Sequence, residues 1–219
     1  MSGFWARGKE RYGLALVLIL IAMIYIMAAP DEGGWRNVAL LLEGLALFAA
    51  LRAAQPGMRL GLIFGGIIMT TMLMTIVLNF AEDGSGAIYV RWASLILVSI
   101  ATPAIALGIV LQVKEKRAIT IHTMLGVLCI FLLIGLVFGS AFALIEAAGG
   151  QPFFREGQGA ETLSNYLYFS LTTITTAGLG DFSAAAPLGR SLTAAEALIG
   201  QIYLVTVVAV IVANLSRRN

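Results

Sequence analysis

The residues best suited to chemistry form one short run, Thr176-Ala177-Gly178-Leu179-Gly180-Asp181. Two glycines one residue apart permit backbone angles closed to other residues, so the run can extend with its carbonyls all pointing one way. Carbonyl rings of that kind, supplied by several chains, replace the hydration shell of a monovalent cation. The Thr176 hydroxyl would add a further oxygen ligand at the inner end. Most other chemistry is excluded. One histidine, His122, leaves no His-based metal cluster and no Ser/His/Asp triad. There is no HExxH, no GxSxG and no pair of intramembrane aspartates. The one cysteine, Cys129, lies in an apolar run and rules out an intrachain disulfide framework.

A lone Gly-x-Gly would read as a loop, and what precedes this one argues otherwise. Residues 161–176 form a hydroxyl-rich amphipathic helix that would reach about 24 Å, too short to span a bilayer comfortably. It lies in the stretch 148–189, too long for a tight turn and too apolar for an ordinary loop. A re-entrant helix followed by an extended strand suits a membrane interior only where the backbone is buried in protein or lines a water-filled path.

The rest of the chain supplies the membrane setting. It is 59% hydrophobic and 12% charged, with a mean hydropathy of +0.93, against about 25% charged in soluble domains. Apolar segments fall near 13–29, 37–54, 60–80, 88–112, 118–147 and 190–214, lengths that suit transmembrane helices. Short connectors with turn residues separate them, such as Gln55-Pro56-Gly57 and Glu82-Asp83-Gly84-Ser85-Gly86. With the N-terminus cytoplasmic, Arg7, Lys9, Arg11, Arg52, Arg59, Lys114, Lys116, Arg117, Arg217 and Arg218 all fall inside. Arg36, Arg91, Arg155 and Arg190 fall outside or at the outer boundary, which is the positive-inside pattern. Both termini are then cytoplasmic and the expected location is the cell membrane, multi-pass. A cleaved signal peptide over 1–29 is the rival reading, but its 17-residue apolar run exceeds the roughly 7–15 of such a core. A net charge of +2 gives no ground for a nucleic-acid partner.

The run Ser170-Leu-Thr-Thr-Ile-Thr-Thr-Ala-Gly-Leu-Gly-Asp181 resembles the Thr-x-x-Thr-x-Gly-x-Gly-Asp signature of the potassium channel pore-loop superfamily. The resemblance continues through Pro187-Leu-Gly-Arg190 into the last span and covers roughly residues 120–216. It implies an all-α membrane protein with six transmembrane helices, a re-entrant pore helix and a selectivity filter, four identical subunits surrounding a central pore. Residues 1–117 would be a four-helix domain in the voltage-sensor position, and 118–219 the pore domain. Potassium, the permeant ion and not a cofactor, would be held at Thr176, Ala177, Gly178 and Leu179, with Gly180 allowing the final turn. Asp181 would sit behind the filter mouth, held by a pore-helix donor, for which Tyr168 is the candidate. Thr172, Thr175 and Glu196 are the further expected supports of the filter, and Gly200 stands at the position of the family's gating hinge. Two residues depart from the family pattern. Ala177 replaces valine or isoleucine, and Leu179 replaces tyrosine, removing a side chain that could brace the filter by a hydrogen bond.

The fourth span has Arg91 at its outer end and no further basic residue until Lys114. Each charge crossing the field is worth about 2.3 kcal/mol per 100 mV, so one terminal arginine predicts weak or absent voltage dependence. Intramembrane carboxylates default to functional roles; Glu43 in span two is a candidate pH sensor, pairing with Arg91 or Arg52 being the alternative. Met69, Met72 and Met74 read as packing filler. The expected activity is passive potassium conduction by a homotetramer, with lipids and monovalent cations as the other partners. The alternatives are a non-selective cation channel of the same build and a potassium transporter subunit. With only four residues after Leu215, no ligand-binding cytoplasmic module is expected.

Overall fold

A computed structural model describes residues 12–28, 34–54, 121–149, 151–156 and 162–216, with scattered residues between 62 and 107. All the elements among them are helices: α1 (Tyr12–Ala28), α2 (Gly34–Ala54), α3 (Ile121–Gly149), α4 (Leu163–Ile174) and α5 (Pro187–Ser216). Four of these occupy expected spans. The spans at 60–80 and 88–112 lie largely outside the described residues, as do Arg91 and the side chain of His122.

In α1, Ala15, Ile19, Ala22, Met23 and Ile26 are buried at helical spacing, yet the opposite face is Leu14, Val17, Leu20, Ile21 and Ile24. A helix apolar on all sides with one side uncovered suits a lipid setting. α2 buries small residues, Ala39, Ala46, Ala50 and Ala54, in the core it shares with α1; small side chains let backbones approach closely. Leu133 and Leu136 of α3 complete this core. Among the described residues, one helix, Met124–Gly149, is long and apolar enough to cross a membrane, and α1 is a shorter apolar helix.

α1 also reaches the second half of the chain. The Ser164 hydroxyl of α4 donates to the Met27 carbonyl at 2.8 Å, and the Cys129 thiol of α3 points at the Tyr12 carbonyl, 3.8 Å away. A second core of aromatic rings gathers Phe142, Phe153, Phe154, Tyr166 and Phe169. Phe153 and Phe154 lie on a short extended segment that pairs with the chain beyond the glycine run. Arg155 N–H donates to Ser183 O at 3.1 Å and Ala185 N–H to Phe153 O at 2.9 Å, around an antiparallel bridge of Phe154 with Ala184.

Candidate ion-conduction site

The site begins at the N-cap of α4, where Thr162 takes an extended backbone and its hydroxyl accepts from Asn165 N–H at 3.2 Å, satisfying one orphan donor of the first turn. Twelve residues later the helix stops, so it is shorter than the helix expected over 161–176 and far too short to span a bilayer. Its buried side, Tyr166, Leu167, Ser170, Thr173 and Ile174, settles into positions where neighbouring helices lack side chains. A Cβ on Gly139 of α3 would come within 3.2 Å of Leu167 Cα, and one on Gly135 within 3.3 Å of Leu171 Cδ2. A Cβ on Gly200 of α5 would come within 2.2 Å of the Ile174 carbonyl oxygen. Three glycines on two helices thus let the short helix sit deep between α3 and α5, with α5 continuous through Gly200.

The chain then leaves the helix under close control. Thr176 N–H donates to Thr173 O at 2.9 Å and Gly178 N–H to Thr172 O at 3.0 Å. Thr176, Gly178 and Gly180 have φ of 58°, 51° and 83°. The left-handed conformation therefore recurs at every second residue. Glycine adopts it freely, but a β-branched threonine there is an outlier that the surroundings must hold in place. The hydroxyls of Thr172 and Thr175 turn back to carbonyls of their own helix, Phe169 O at 3.0 Å and Leu171 O at 2.6 Å. Thr172 meets the glycine run through its backbone oxygen. In the single chain every residue from Thr175 to Asp181 is exposed, and Leu179 is 66% exposed.

Behind this run, the Tyr168 hydroxyl donates to Asp181 Oδ2 at 2.8 Å, while Asp181 Oδ1 accepts from Phe182 N–H at 3.2 Å. The hydrogen bond to the carboxylate pushes the Tyr168 phenol above its ordinary value, so it stays a donor across the physiological range. The Phe182 ring stands edge-on to Tyr168 and 4.8 Å from Phe154. Arg190 in the first turn of α5 donates to Ala184 O at 3.3 Å and Ala185 O at 2.6 Å. The run is therefore tethered to α4 on one side and to the Phe153–Phe154 segment and α5 on the other. Sequence reasoning missed the tethers of Phe153, Phe154, Ser170 and Arg190; the Phe-Phe pair and the arginine after Pro187 were the available signals.

The remaining candidates divide. Glu196 is fully buried on α5, and the Ser170 hydroxyl touches both its Oε1 and the Gly135 carbonyl. Glu43 belongs to a different cluster. It is buried in α2 beside a small cavity whose other walls are apolar, among them Ile19, Met23, Ala46 and Leu133. The Arg52 guanidinium lies over the Phe48 ring, nine positions along the same helix from Glu43 at its own Cα.

Residues 127–217 match a family model described as ion channel. The match starts within α3, takes in α4 and the glycine run, and extends one residue past the end of α5. Searches of curated proteins and of solved structures gave no match. The match to an ion channel model together with the apolar helix Met124–Gly149 points to a membrane protein. Through that domain, the chain resembles the potassium channel pore-loop superfamily over residues 127–217.

Proposed function

We propose that the protein is one subunit of a homotetrameric channel that conducts potassium passively through a filter formed by Thr176 to Gly180. The observation that carries the proposal is the alternation of left-handed backbone at Thr176, Gly178 and Gly180. In an ordinary strand successive carbonyls point to opposite sides; reversing the hand at alternate residues is how a strand offers them all to one side. Those carbonyls are the ligands a dehydrated monovalent cation needs. Exposure of the whole run in one chain supports assembly, because non-helical backbone inside a membrane has to be covered by protein or line a water path. One chain supplies one such run, and four around an axis close the ring.

Both termini lie on the cytoplasmic side in this reading, from the distribution of basic residues. Voltage dependence is weak, since the fourth span offers only Arg91 before Lys114. A second reading, a cation channel that admits sodium nearly as well, is favoured by Leu179, whose exposed side chain has no hydrogen-bonding group to brace the filter. The purified protein in a planar bilayer, with potassium on one side and sodium on the other, separates the two. A reversal potential near the potassium equilibrium value is expected; a value near zero with clear current moves the function to non-selective conduction. A steep conductance–voltage curve would defeat the weak voltage dependence.

A further inference from the structure

The Ser170 hydroxyl lies between two oxygens at once. Its Oγ is 2.6 Å from the Gly135 carbonyl oxygen of α3 and is hydrogen-bonded to Glu196 Oε1 of α5. A hydroxyl carries one hydrogen, and a carbonyl oxygen can only accept. If the serine hydrogen pointed at Glu196, the 2.6 Å contact with Gly135 would press two acceptors together with nothing between them. The hydrogen therefore goes to Gly135, and the bond between Ser170 and Glu196 needs a hydrogen from the carboxyl. An ionised carboxylate has none to give, whereas a carboxylic acid has one.

The other carboxyl oxygen points the same way. Glu196 is 0% exposed, and its Oε2 has no hydrogen-bond partner among the described residues. Leaving half of a full negative charge buried and unpaired is far more costly than leaving the carbonyl oxygen of a neutral acid there. Four other titratable groups on the helices that meet here bond elsewhere. On α5, the Arg190 guanidinium goes to Ala184 and Ala185 and the Tyr203 hydroxyl to the Val127 carbonyl. On α4, Tyr168 goes to Asp181; on α3, the Cys129 thiol faces Tyr12. The Tyr166 ring of α4 stacks on Phe154 with its hydroxyl buried, and Glu146 of α3 has an interaction of its own.

We infer that Glu196 is a neutral carboxylic acid at neutral pH and that its proton is the donor that ties α5, through Ser170, to the pore helix α4 and the outer helix α3. Glu196 is thus a positioning residue. It touches no filter carbonyl, but it fixes the buried side of the helix from which the filter hangs. Only the naming of α4 as a pore helix rests on the proposed function; the proton does not.

The sign of the pH dependence follows. The tie is complete in acid, and the junction weakens as pH rises until Glu196 ionises in place. Infrared spectra of the purified protein in lipid at neutral pH test the proton without any current. Subtracting the spectrum of Glu196→Gln from that of the wild type is expected to leave the carbonyl band of a protonated carboxyl. The same band should survive in Glu43→Gln. Loss of carboxylate bands instead would overturn the inference.

Ser170→Ala supplies a second test that does not depend on Glu196→Gln assembling. It removes the acceptor, so the carboxyl band must shift or vanish, and an unshifted band counts against the inference. Finally, the glutamine amide can also donate to Ser170. Glu196→Gln should therefore match the wild-type thermal midpoint in acid and lose the decline that the wild type shows as pH rises from there. A wild-type decline of the same size in Glu196→Gln would place the titration on another group.

Discussion

Gly200 on α5 sits against the Ile174 carbonyl at the last residue of α4, with 2.2 Å between that oxygen and the place a Cβ would occupy. No rotamer relieves such an overlap, because the obstacle is backbone. Gly200→Ala should therefore push the two helices apart and destabilise the chain toward the upper end of the roughly 1–3 kcal/mol typical of overpacking. Gly139→Ala, at 3.2 Å from Leu167 Cα, should have a smaller effect. Thermal unfolding of both variants in detergent checks the order. Equal midpoints would show that α5 bends away at Gly200, which is what a hinge there would do.

Removing the Tyr168 hydroxyl leaves Asp181 Oδ2 without its donor from α4. Tyr168→Phe keeps the ring and its edge contact with Phe182, so assembly should survive while the filter loosens. The expected readout is faster decay of current during sustained conduction, and an unchanged decay would mean that Asp181 Oδ1 and Phe182 suffice.

Leu179 calls for the opposite experiment. Its side chain is exposed in the single chain and carries no hydrogen-bonding group. Leu179→Tyr should add a brace and slow the decay; a channel with unchanged decay counts against the view that Leu179 leaves the filter soft.

The two glycines of the run should tolerate substitution poorly, though for a different reason from Gly200. A Cβ on either meets nothing within 4 Å, yet both have positive φ. Alanine at Gly178 or Gly180 should strain the backbone by about 1–2 kcal/mol and relax by turning the peptide. The measurable result is loss of ion discrimination in the reversal potential, with little change in the thermal midpoint of the folded chain. A D-alanine introduced by semisynthesis should restore the wild-type value.

Legibility followed sequence distance and chemistry. The apolar lengths located α1, α2, α3 and α5 to within a few residues, because lipid demands a continuous apolar run whatever the helices pack against. The contact of Tyr168 with Asp181 was legible through the resemblance, which implies a pore-helix donor at that position. The bond between Ser170 and Glu196 was not. It depends on the depth at which α5 crosses α4, which Gly200 sets and no local pattern announces. The tie between Ser164 and Met27 was equally hidden, since it joins residues 137 positions apart through a hydroxyl and a carbonyl of unremarkable type. Glu43 was visible as an oddity, a carboxylate amid apolar residues, while its place beside α1 and α3 came from the packing.

In the proposed channel, the pairing of Phe154 with Ala184 would give the outer mouth a fastening inside each chain. It closes a ring of about thirty residues that contains the whole of α4 and the filter, and closing such a ring carries an entropic penalty that grows only slowly with length. Because both ends of the ring belong to one protomer, that penalty is met during folding of the single chain. In the proposed channel, each subunit would reach its neighbours with this entrance already looped. In the proposed tetramer, assembly would then be the alignment of four finished rims, and a defect in the Phe153–Phe154 fastening would appear as slow or partial oligomerisation before it appeared as altered conduction.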